Sequence, residues 1–284
     1  MGTRAELIDI RNADGTCFQL RSFTCEGPRA AILVVPAMGV SAKFYDHLGA
    51  ELAAAGLNAY VTELRGIGSS DQRASRSIDF GYREFLGDLE AAANAVNIRV
   101  SALPLFIMGH SLGGHLAILF AALHVEKIRG VAVVAGGTPH FRNWKFPMSA
   151  VTLLGSSVMR GLGLALGYVP GNRIGFGGRE ANRVVAEWAH FVRTGKLVVR
   201  GIDSAHLERA RAAVTLPTLG VSLEEDDYAP RNSVDKLMAM LPNAKLTRVH
   251  LERGAVGAKM NHFRWAKQPR AVVAPIASWI AELK

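Results

Sequence analysis

The chain has 284 residues, 49% of them hydrophobic and 20% charged, which excludes a disordered chain and is enough for a full core in one domain, with or without an insertion. The net charge of +9 is uneven, because residues 140–213 carry 11 Lys and Arg against 4 Asp and Glu. No nucleic-acid-binding motif accompanies that excess, so it reads as a solvated basic face, or as attraction to anionic substrates or membrane surfaces.

The predicted elements begin with a hairpin. Residues 16–23 alternate like a half-buried strand, their partner is 6–11, and Asp14-Gly15 makes the turn. Residues 30–35 form a continuous apolar run, which suits a strand covered on both faces. A helix over 42–55 stops at Gly56, and a strand over 58–62 leads into the loop Arg65-Gly66-Ile67-Gly68-Ser69-Ser70. There follow a helix over 78–97, a strand over 105–108, a helix over 112–124 and a strand over 130–135. This alternation predicts a mostly parallel sheet with helices on both faces.

The rhythm then breaks. Residues 140–213 are rich in Gly and Arg, with a helical pattern only over stretches such as 180–191. Alternation resumes with a strand over 218–223, a helix over 231–240, a strand over 244–251 and a helix over 270–283. The organisation expected is one α/β core, 1–139 with 214–284, and an insertion over 140–213. The opening Met1–Glu6 lacks the apolar stretch of a signal peptide, and 148–169 carries Arg160 and Gly155, Gly161, Gly163 and Gly167, which argues against a spanning helix. Cys17 and Cys25 have no companion pair for a zinc site and read as buried thiols. The expectation is a cytoplasmic protein with no transmembrane segment.

The segment that points to chemistry is Gly109-His110-Ser111-Leu112-Gly113, which fits G-x-S-x-G between an apolar strand and an apolar helix. Such a turn lifts a serine hydroxyl above the sheet and aims the first helical N–H groups at developing negative charge. A serine nucleophile needs a base, and the base an orienting acid, in the chain order Ser, acid, His. After the strand over 218–223 comes Glu224-Glu225-Asp226-Asp227, where the distance to Pro230 favours Asp226, with Asp227 second. His262 lies beyond the last strand and is the candidate base. His250 sits inside that strand and reads as structural, while His110 and His115 read as packing or polar-network residues. Two N–H donors are needed for an oxyanion; they are Leu112 and, from the loop after the strand over 30–35, Met38, since Pro36 has no N–H to give. No phosphate loop, dinucleotide fingerprint or zinc spacing is present, so neither cofactor nor metal is expected.

Together, Gly109–Gly113, Arg65–Ser70, the loop from Asp226 to Pro230 and His262 resemble the α/β-hydrolase superfamily over nearly the whole chain, with the insertion in the position of a lid. More narrowly, residues 171–180 and 188–195 resemble a group of bacterial predicted α/β hydrolases near the serine aminopeptidase and monoacylglycerol lipase-like branch. Two departures stand out: Pro36-Ala37 replaces the His-Gly of most relatives, and Asn261 replaces the Gly that many place before the catalytic histidine. The resemblance implies a serine hydrolase acting on a small carboxylic ester or thioester through an acyl-enzyme, with Ser111, Asp226 and His262 as triad. Acyl transfer on the same triad and non-catalytic ligand binding on the same scaffold are the alternatives. The apolar stretch of the insertion suits an acyl chain, and its arginines an anionic head group.

Overall fold

The computed structural model describes residues 5–254 and 260–283. Strands β1 (Glu6–Arg11), β2 (Cys17–Phe23), β3 (Ala30–Val35), β4 (Leu57–Thr62), β5 (Leu105–His110), β6 (Gly130–Val134), β9 (Pro217–Leu223) and β10 (Lys245–Leu251) form one sheet in the order β1-β2-β4-β3-β5-β6-β9-β10. The pairings β1/β2 and β2/β4 are antiparallel and all others parallel.

The apolar runs of β3, β5 and β6 follow from burial on both faces. Ala31, Leu33, Val35, Leu105, Ile107, Val131 and Val133 pack into one core with helices α2 (Tyr82–Arg99) and α3 (Leu112–Leu123). Their alternates Ala30, Ile32, Val34, Phe106, Met108, Ala132 and Val134 pack into the other, against α1 (Asp46–Ala54) and α9 (Arg270–Glu282). Helix α8 (Arg231–Met238) lies against β9.

Several boundaries move for local reasons. The helix expected over 42–55 opens as a 3₁₀ turn, Ala42–Tyr45, before α1. Helix α2 starts at Tyr82 because the Glu84 carboxylate accepts the Gly81 N–H at 2.7 Å and fixes the first turn there. The cysteines are free but half-buried rather than buried, since Cys17 opens the partly exposed hairpin strand and Cys25 lies just beyond it.

The largest departure is in 140–213. Between β6 and β9 the chain forms α4 (Met148–Leu166), an antiparallel pair β7 (Tyr168–Pro170) and β8 (Arg179–Ala181) around the short α5 (Gly171–Ile174), then α6 (Asn182–Thr194) and α7 (Ser204–Ala213). Helix α4 is long and apolar enough, by length and composition, to cross a bilayer. It docks on α6 with one narrow stripe, Ser156, Met159 and Gly163, and Arg160 Nη1 donates to Asn182 Oδ1 at 2.7 Å. The other face, with Val151, Leu154, Val158 and Leu164, is exposed. Three glycines within it give α4 a poor intrinsic propensity, so the sequence pattern hides a helix made by its contacts.

One buried ion pair fixes the loop after β4. Arg65 donates in bidentate fashion to Asp88, from Nε at 2.9 Å and Nη2 at 2.6 Å, while Nη1 reaches Asp14 at 2.7 Å. Arg65 and Asp88 are both buried. Arg65→Met would strand the Asp88 carboxylate, and the expected cost is about 3–5 kcal/mol, read as a lower urea midpoint. The double variant Arg65→Met/Asp88→Leu should recover most of that loss.

Candidate active site

The site begins with backbone geometry. Strand β5 ends at His110 and α3 starts at Leu112, so Ser111 alone makes the reversal, at φ 54 and ψ −118. A residue with a side chain rarely adopts that conformation. Its neighbours explain how the turn closes. A Cβ on Gly109 would overlap the Gly113 carbonyl, and one on Gly113 would overlap the Val35 carbonyl and lie 2.7 Å from that of Pro36. The Ser111 N–H donates to Val134 O at 3.3 Å, and its carbonyl accepts the Gly114 N–H at 2.9 Å.

The structure brings Ser111, His262 and Asp226 into one hydrogen-bonded line. His262 Nε2 lies 2.9 Å from Ser111 Oγ, and Nδ1 lies 2.8 and 2.9 Å from the two Asp226 carboxylate oxygens. The ionised acid accepts Nδ1–H, which leaves the Nε2 lone pair facing the serine hydroxyl. Asp226 is buried and also accepts the N–H groups of Tyr228 and Ala229, each at 2.9 Å. Asn261, where many relatives have glycine, is not among the positive-φ residues; its Oδ1 accepts the Phe263 and Arg264 N–H groups and shapes the turn that holds His262.

The other acids of the run have separate partners. Asp227 is exposed, and its carbonyl accepts the Trp144 indole N–H at 2.9 Å. Glu224 Oε2 lies 2.7 Å from His250 Nε2, and His250 Nδ1 lies 2.8 Å from Ser222 Oγ across the β9/β10 register. Glu225 accepts the Met260 N–H at 2.9 Å, tying the acid loop to the histidine loop. Sequence reading missed this tie, and no local pattern announces it.

Leu112 and Met38, the expected oxyanion donors, lie at the start of α3 and in the loop after β3. Leu112 carries the first N–H of α3, which has no acceptor within its own helix. In the loop after β3 the Ala37 N–H is taken by Tyr45 Oη at 2.9 Å, whereas the Met38 N–H has no acceptor among the described residues. Tyr45 Oη is also 2.7 Å from His110 Nδ1, and the His110 ring packs 5.0 Å from that of His262. A buried polar link thus runs from the loop after β3 through Tyr45 to the ring of His110, beside His262. Burial, together with the neighbouring His262, holds the His110 pKa well below its ordinary value, so the link is uncharged. His115 hydrogen-bonds the Gly137 carbonyl at 2.8 Å through Nε2 and is lowered by burial to about 4.

A cavity of about 610 Å³ is lined by Trp144, Met148, Leu223, Asp226, Pro230 and Arg231, with Glu224, Asp227 and His250 in its wall; Ser111 and His262 are not among its lining residues. No group of three or more His, Cys, Asp or Glu with the spacing to hold a metal is found among the described residues.

Residues 26–255 match the model of the serine aminopeptidase S33 family. The chain belongs to this family, within the α/β-hydrolase superfamily. Among curated proteins it is 28% identical over 131 residues to monoglyceride lipase of Rattus norvegicus, a stretch covering 46% of this chain and 43% of that protein. The match therefore spans less than half the length of such relatives. Among solved structures, the thioesterase domain from the curacin biosynthetic pathway has a TM-score of 0.57 at 16% identity, covering 98% of this chain and 99% of that one. A loop variant of haloalkane dehalogenase from Bradyrhizobium elkanii has 0.63 at 15%, covering 98% and 97%. These two likenesses establish the fold. The chemistry has to be argued from the site, since one scaffold carries both activities.

The buried histidines make the fold acid-sensitive. His115 titrates near 6.5 when unfolded and near 4 when folded, so its neutral form stabilises the fold fully above 6.5 and that contribution is lost as pH falls toward 4. Its contribution is on the order of 3 kcal/mol. The urea midpoint should drop over that interval, and the drop should be shallower in His115→Gln.

Proposed function

We propose that the protein is a serine hydrolase that cleaves a carboxylic ester or thioester through an acyl-enzyme. The observation that carries this reading is the continuous line Asp226–His262–Ser111, with the serine held on a strained strand-to-helix turn. His262 Nε2 takes the Ser111 proton as Oγ bonds to the substrate carbonyl carbon. The negative charge goes to the carbonyl oxygen, where the Leu112 and Met38 N–H groups hold it. Collapse breaks the bond to the alcohol or thiol, which leaves with the proton from His262. Water then gives a proton to His262 as its oxygen bonds to the acyl carbon, and the bond to Ser111 Oγ breaks as His262 returns that proton to Oγ, releasing the acid. Asp226 stabilises the imidazolium in both halves.

In this reading residues 140–213 are the lid, and 1–139 with 214–284 the core. Trp144 and Met148 from the lid meet Leu223 and Pro230 from the core in the cavity beside Asp226, on the acid side of the triad. The monoglyceride lipase relatives support an acyl ester as substrate class.

The test is intact mass after exposure to a fluorophosphonate probe, which reports an activated serine whatever the natural substrate. One adduct on the wild type and none on Ser111→Ala is expected; a folded wild type that takes no adduct overturns the proposal. With an activated p-nitrophenyl ester, Asp226→Asn should lower kcat by about 10⁴, because the imidazole is then held in the wrong tautomer.

A further inference from the structure

The segment Gly171–Glu180 is a sequence feature that the triad and the cavity beside it do not use. It folds into a tight knuckle at the join of β7, α5 and β8. The Phe176 N–H donates to Gly171 O at 3.0 Å, and the Asn172 N–H to Gly178 O at 2.9 Å. Its glycines are needed for space, because a Cβ on Gly171 would overlap the Phe176 carbonyl and lie 2.6 Å from that of Gly178.

The tip of this knuckle rests on the oxyanion loop, backbone against backbone. A Cβ on Gly39 would overlap the Gly177 carbonyl carbon and the Gly178 nitrogen. A Cβ on Gly178 would lie 3.1 Å from Gly39 Cα and 2.9 Å from Ile67 Cδ1, and one on Gly177 would lie 3.4 Å from Met38 Cγ. Behind the tip stands Glu180, 4% exposed, whose Oε1 accepts the Gly178 N–H at 2.7 Å. The knuckle is pinned elsewhere by Arg179, which donates from Nε to Ala74 O at 2.5 Å and lies 3.9 Å from the centre of the Tyr168 ring.

We propose that Glu180 is a positioning residue, which through Gly178 and Gly39 fixes the Met38 N–H as the second oxyanion donor. The insertion then completes the catalytic machinery as well as walling the cavity. This rests on the reading of Met38 given above. A carboxyl group is a costly choice for a buried wall: burial lifts Glu180 to about 7. Among the described residues the Gly178 N–H is its hydrogen-bond partner. An apolar residue would pack there without that cost but would leave the Gly178 N–H unheld.

The experiment measures acylation of Ser111 by the fluorophosphonate probe and by a p-nitrophenyl ester, in Glu180→Leu, Glu180→Gln and Gly178→Ala, with melting temperature recorded for each. Loss of one oxyanion donor typically costs 10²–10³ in rate. Glu180→Leu and Gly178→Ala should therefore lower kcat by about 10²-fold with KM within about threefold. Glu180→Gln, which keeps an oxygen for the Gly178 N–H, should restore the rate to within about threefold of wild type. Gly178→Ala adds one methyl group at an ordinary φ and decides the matter if Glu180→Leu does not fold. Folded Gly178→Ala acylating at the wild-type rate overturns the proposal, as does Glu180→Gln acylating as slowly as Glu180→Leu. A wild type that is never labelled overturns the hydrolase reading instead, so the two failures are distinct.

Discussion

The structure depends on one backbone constraint, the reversal from β5 into α3 within the single residue Ser111. Holding a serine at φ 54 costs about 1–3 kcal/mol, and it persists because both flanking elements are locked. All six residues of β5 are buried, as are ten of the twelve in α3. Each buried Leu, Ile or Phe contributes about 1.5–3 kcal/mol, so the two elements together far exceed the strain. The same reversal brings Gly113 onto the Val35 and Pro36 carbonyls, which places the loop carrying Met38 beside the N-terminus of α3. Ser111, the first N–H groups of α3 and the loop carrying Met38 are therefore brought together by one close approach that two glycines permit.

The polar groups beneath the site are arranged to stay neutral or to be fully bonded. His110 and Tyr45 link the loop after β3 to the surroundings of His262 without adding charge beside that imidazole. A cation there would disfavour a positive charge on the neighbouring His262 ring. Asp226, by contrast, has two backbone N–H donors besides the histidine, so its negative charge is held in a buried place.

Much of this was legible in the sequence. The continuous apolar strands, the glycines around Ser111 and the position of His262 beyond the last strand are local signals. They led to an α/β sheet and to three residues that the structure brings within hydrogen-bond distance. What stayed hidden depends on distant partners. Helix α4 is obscured by its glycines, and only one stripe of it, facing α6, is buried. Glu225 looked like one more acid in a run, and its bond to the Met260 N–H needs two loops to meet. The knuckle at 171–180 showed its glycines, yet its resting place on Gly39 is set by the fold of the whole insertion.

The acidic run after β9 also says something about which changes this chain can absorb. Glu224, Glu225, Asp226 and Asp227 each face a different neighbour: His250, the Met260 N–H, His262 and, through its carbonyl, Trp144. The four positions look interchangeable in composition and are not interchangeable in space. A one-residue deletion there would hand each neighbour the next acid along and present His262 with a side chain on the wrong side of the loop. The loop can exchange residue types at its exposed positions, but its length is fixed by the four directions it must serve.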